Sequence, residues 1–169
     1  MRKLDWPDTL HLEAAVGWLE LGNPIEANAE LDCITPELRG HPQVLALRSE
    51  IYFREKLWTN CVEVSDALVR IQPDNTTGWI HRSYALHELK RTREAFENLL
   101  PAAAKFSDLW TIPYNLACYC AQLNRLEEAT DWFKKAIAID GEIVRSQALD
   151  DEDLKPLWDS MNGTLWRKE

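Results

Sequence analysis

Small residues recur along the chain every 34 positions, with large apolar ones beside them. In windows opening at Asp8, Pro42, Thr76 and Trp110, the eighth slot holds Ala15, Ser49, Ser83 and Ala117. The eleventh slot holds Trp18, Tyr52, Leu86 and Cys120, and the twentieth holds Ala27, Cys61, Ala95 and Ala129. No insertion separates the windows. Small residues at two such slots let a pair of antiparallel helices approach closely, while large ones fill the space beside them. One pair of this length cannot bury its apolar face alone, so stacked pairs must share a core.

The residues carry a resemblance as well as a period. In the fourth window, Leu116, Ala117, Ala129, Phe133 and Ala136 occupy slots where tetratricopeptide repeats carry Leu, Gly or Ala, Ala, Phe or Tyr, and Ala. Trp79 takes the Trp slot of the third window, and Pro73 the Pro slot closing the second. The chain resembles a tetratricopeptide-repeat protein over residues 8–143. The implied fold is an all-α right-handed superhelix of four helix-turn-helix pairs (8–41, 42–75, 76–109, 110–143), read as one domain over 1–169.

Three positions depart from the pattern or test it. Ser65 stands where a large aromatic is usual, and Arg48 where Leu is usual. Pro101 falls inside the second helix of the third window, where a missing N–H predicts a kink or a restart near Leu100. Pro113 and Pro24 suit first turns, Pro24 following a Gly22-Asn23 turn.

Residues 144–169 leave the repeat. Asp150, Asp151 and Asp153 are good N-cap and first-turn residues, and Leu154, Leu157, Trp158 and Met161 then recur at helical spacing. Asn162-Gly163 supplies a stop. This segment predicts a C-terminal capping helix over about 150–162, ending the array. The Asp-x-Asp-Leu pattern after NLACYC resembles the ending of many proteins of the same family. The tail with Trp166 is left unassigned.

Charge changes the picture in one place. The first window carries seven acidic residues and one basic residue, out of a net charge of −9. That argues against nucleic acid as a partner and against an anionic membrane. No apolar run can span a bilayer and no secretory leader is evident, so membrane insertion is not expected and a cytoplasmic location is. Cys33, Cys61, Cys118 and Cys120 lack framework spacing and read as reduced thiols.

No catalytic constellation appears. There is no phosphate loop, nucleophile elbow or paired-Cys zinc spacing, so the chain is read as no enzyme, with no cofactor and no metal ligands. The run Lys90, Arg91, Arg93 reads as a solvated turn. The family's concave face offers more. Slots two, five, nine and twelve or thirteen of each first helix would line a groove, slot two being polar throughout (Thr9, Gln43, Thr77 and Thr111). In the first two windows the others are Leu12, Val16, Leu19, Ala46, Glu50 and Phe53. In the last two they are Ile80, Tyr84, His87, Tyr114, Cys118 and Ala121. The family's carboxylate clamp is absent, because Leu12 and Val16 stand where it needs Lys and Asn, and Thr77 and His81 replace its later cations.

The resemblance therefore implies a non-catalytic protein-interaction module, an adaptor or scaffold taking a partner peptide or helix in an apolar groove. Tyr84 and Phe53 are the foremost contacts, unless the chain's own ends cover them. Two alternatives stand beside it. One is a small cytosolic chaperone for an exported or aggregation-prone client. The other is a metal-dependent regulator using His81, His87 and Cys118. Self-association into a homo-oligomer is a further expectation.

Overall fold

A computed structural model describes residues 3–161 of the chain. The described residues are helical throughout apart from turns, and they form two compact units, 1–85 and 86–169.

The first unit holds α1 (Asp8–Glu20), α2 (Pro24–Cys33), a 3-10 turn at Pro36–Leu38, α3 (Pro42–Arg54), α4 (Trp58–Ile71) and most of α5 (Thr76–Glu88). The second holds α6 (Thr92–Lys105), α7 (Thr111–Gln122), α8 (Leu126–Ile139), α9 (Gly141–Ala148), a 3-10 turn at Glu152–Leu154 and α10 (Lys155–Met161). Helices α2, α4, α6 and α8 start 34 residues apart.

The periodic small residues sit where helix packing requires them. Ala15, Ser49, Ser83, Ala27 and Cys61 in the first unit are fully buried, as are Ala117, Ala95 and Ala129 in the second. Any larger side chain there would push paired helices apart.

One device joins each pair, and glycine marks only its first copy. The second residue after each first helix is Gly22, Lys56, Lys90 or Asn124, with φ of 74°, 56°, 63° and 59°. Each copy makes the same two hydrogen bonds, for example Lys56 N to Phe53 O and Leu57 N to Tyr52 O. This is the Schellman ending, which satisfies carbonyls that a helix otherwise leaves open. Glycine adopts that backbone freely and asparagine tolerates it, whereas the two lysines adopt it because the paired helices impose it.

Departures from the pattern have local causes. Pro36 holds Thr35 extended and ends α2 early, at Cys33. Buried Asp8 then ties this break to α1 by accepting the Thr35 N–H at 2.7 Å. Arg48, in place of Leu, reaches Asp32 at 2.9 Å and Asn28 at 3.3 Å. Helix α6 runs unbroken through Pro101, so no restart occurs at Leu100. Pro101 is exposed, which leaves the carbonyl it cannot serve within reach of water.

The C-terminal segment begins sooner than its sequence suggests. Helix α9 is capped by Asp140, whose side chain accepts the Ile143 N–H at 3.1 Å. The expected cap follows it. Asp151 accepts the Asp153 N–H at 3.0 Å, and Leu154 and Leu157 are fully buried. Trp158 meets Phe133 edge-on at 5.1 Å. The Met161 side chain, the Asn162-Gly163 stop and the Trp166 tail lie outside the described residues.

Candidate functional site

Within the first unit, first helices supply one cavity of about 390 Å³. Leu12 and Val16 come from α1, Gln43, Ala46, Leu47 and Glu50 from α3, and Thr77 from α5. The floor is aliphatic, and Gln43, Glu50 and Thr77 give it polar positions. Val16 is 40% exposed, so apolar surface faces solvent here. Leu47, at slot six, is a lining residue that the slot reading misses.

Beside this cavity lies an aromatic group rather than an open wall. Phe53 stacks on His81 at 4.4 Å, tilts against Tyr84 at 5.0 Å and meets Trp58 edge-on at 5.9 Å. Phe53, Tyr84 and Ile80 are each half-buried. Trp58 belongs to a second helix, so the slot reading leaves it out.

Beneath Phe53 a hydrogen-bonded chain explains the missing aromatic at Ser65. Ser65 Oγ meets Ser49 Oγ at 2.7 Å, Ser49 Oγ meets His81 Nδ1 at 2.9 Å, and His81 Nε2 lies 3.4 Å from a Glu50 oxygen. A carboxylate favours the protonated nitrogen, so the tautomer with its proton on Nε2 faces Glu50 and Nδ1 accepts from Ser49. Burial holds the His81 imidazole below its ordinary value, against the opposing pull of Glu50. A large side chain at Ser65 would occupy the space this chain uses. The connectivity is that of a hydroxyl, an imidazole and an acid, but Ser49 is fully buried and closed to solvent. Its role is to satisfy polar groups in the core.

In the second unit the predicted groove residues meet the C-terminal segment. Tyr114 donates to Asp151 at 2.6 Å, and the Cys118 thiol lies 3.7 Å from the same oxygen. His87 Nε2 contacts Asp153 at 3.0 Å, while its Nδ1 meets the Thr92 hydroxyl at 2.9 Å. Gln122 donates to the Asp153 carbonyl at 2.9 Å. His87, Tyr114, Cys118 and Ala121 are buried. Burial first, and then the nearby Asp151, raise the Cys118 thiol well above its usual value. Tyr114 is pushed up by burial and then by Cys118 and Asp151. Cys120 is pushed up to about 12, mainly by burial. Raised in this way, neither thiol is a ready nucleophile.

The family model for the tetratricopeptide repeat matches residues 114–143. Solved structures match far more of the chain. A MamA fragment, 41 to its end, from Desulfovibrio magneticus RS-1 is 16% identical with a TM-score of 0.75, over 99% of this chain and 100% of that one. TTC0263, a thermophilic tetratricopeptide-repeat protein of Thermus thermophilus, is 19% identical with a TM-score of 0.71, over 92% and 84%.

The chain has the tetratricopeptide-repeat fold.

A third tetratricopeptide structure is YrrB, described as having an unusual peptide-binding site. It is 13% identical with a TM-score of 0.68, over 88% of this chain and 81% of that one. No curated protein matches the sequence. Among the described residues, no helix of this tetratricopeptide fold is long and apolar enough to cross a membrane.

Proposed function

We propose that the chain is a non-catalytic, cytoplasmic interaction module whose first unit takes an apolar anchor of a partner peptide or helix. The observation that carries this is the cavity of about 390 Å³ floored by Leu12, Val16, Ala46 and Leu47. Aliphatic surface left facing water gains free energy when a partner covers it, at about 25 cal/mol per Å². Gln43, Glu50 and Thr77 supply the few polar contacts that orient such a segment. The description of YrrB as peptide-binding supports a peptide as the ligand class.

A displayed library of random dodecapeptides, selected on the full chain, tests this reading. Peptides with one or two large apolar side chains should be enriched, and Val16→Asp should weaken their binding at least about tenfold. Equal recovery on wild type and on a folded Val16→Asp protein would remove the assignment.

A further inference from the structure

Away from the cavity, three donor groups of different chemistry converge on the α1–α2 hairpin. His11 stands on α1. Glu30 and Cys33 stand three residues apart on α2, so they share a helix face. One donor atom from each lies within 4.8 Å of the others. His11 Nδ1 and Glu30 Oε2 are already 2.8 Å apart, with side chains 30% and 29% exposed.

Several features distinguish this group from an ordinary surface pair. Cys61, Cys118 and Cys120 are buried, whereas Cys33 is exposed. Pro36 ends α2 at Cys33, so this thiol stands at a helix end. Among the described residues Glu30 is ion-paired with His11, while its neighbour Asp32 takes Arg48. The surrounding window carries seven acidic residues and one basic residue, which favours a bound cation.

We infer that His11, Glu30 and Cys33 form a three-ligand site for a divalent transition-metal ion, with Zn²⁺ the best fit. Imidazole nitrogen, thiolate sulfur and carboxylate oxygen are the zinc donor set, whereas Ca²⁺ and Mg²⁺ take oxygen alone. Zinc bonds of about 2.0–2.3 Å place tetrahedral ligands roughly 3.3–3.8 Å apart. The 2.8 Å contact and the 4.8 Å limit bracket that separation, so small side-chain movements close the site. The fourth position faces solvent and takes water. Binding displaces protons from the ligands and pins α1 to α2. The sequence reading did not single out these three residues, because they meet only when the hairpin closes.

The test is titration of tag-free, full-length protein with Co²⁺ as a spectroscopic stand-in for Zn²⁺. One equivalent should bind with a dissociation constant of about 10 μM or tighter. It should show a thiolate-to-cobalt charge-transfer band that Zn²⁺ abolishes. Cys33→Ser should lose the band, and His11→Ala should keep it while weakening binding at least about tenfold. Zn²⁺ should raise the unfolding midpoint of the wild type and leave that of Cys33→Ser unchanged. Absence of saturable binding overturns the site. So does a band that survives Cys33→Ser, or an affinity indifferent to His11→Ala.

Discussion

Slots five and nine meet opposite fates in the first and fourth repeats. In the first they hold Leu12 and Val16, which line a cavity open to solvent. In the fourth they hold Tyr114 and Cys118, which are buried and hydrogen-bonded to Asp151. The slot sets where a side chain points. Whether it becomes a binding surface depends on what covers it. Here the hydroxyl and thiol suit an acidic covering segment, and the aliphatic pair does not.

Slot twenty-four makes a second contrast. Phe133 is fully buried, while Ser65 joins a polar chain to Ser49 and His81. One repeat fills its hairpin with an aromatic ring, and the other fills it with hydrogen bonds. Truncating Phe133 to Ala should therefore have the largest effect, about 3–5 kcal/mol of unfolding free energy by urea denaturation. A loss under about 1 kcal/mol would mean that the cavity collapses.

Lifting the C-terminal cover comes next. Asp151→Ala with Asp153→Ala leaves the Tyr114 hydroxyl and His87 without their carboxylates, at a cost of about 1–3 kcal/mol. The same double variant should speed alkylation of Cys118, which in the wild type should react well after exposed Cys33. Mass-spectrometric labelling that leaves Cys118 protected would show that the cover does not depend on these two carboxylates.

The polar core of the second repeat should respond to acid. Burial lowers the folded His81 value from 6.5, so in mild acid the unfolded chain takes up a proton that the folded chain refuses. The stabilisation is complete above pH 6.5 and is lost as pH falls through the lowered value. Unfolding midpoints should decline through this range in the wild type and decline less in His81→Gln. Parallel curves would assign the acid response to other groups.

The smallest effect tests the open side of the first contrast. Val16→Ser should change stability by less than about 0.5 kcal/mol, because the side chain is 40% exposed. A larger loss would make Val16 a core residue and close the cavity as a site.

Much of the fold was legible because helix packing imposes a period on the chain. The small residues Ala15, Ala27, Ala117 and Ala129 are fully buried, as their spacing required. The turns were legible at Gly22 and at the Lys90, Arg91, Arg93 run. Lys56 and Lys90 carry no left-handed signature of their own, and closed hairpins place them there, whereas Asn124 is a residue type that takes this backbone more readily. The candidate groove was legible as a set of slots. Leu47 escaped that set because it stands one slot off the stripe.

The sequence by itself determined an all-α repeat of helical hairpins, since the 34-residue spacing of small and large residues is a local property of each window. It also marked Asp151 and Asp153 as helix-starting residues. Only the tertiary structure decided what those carboxylates face. Tyr114 lies 37 residues before Asp151, and His87 lies 66 before Asp153, too far apart for any local pattern to record the contact. The same holds for His11 with Glu30, 19 residues apart, and for Ser49 with His81, 32 apart. Periodicity reports which face of a helix is buried, and the partner on that face is chosen when distant helices pack.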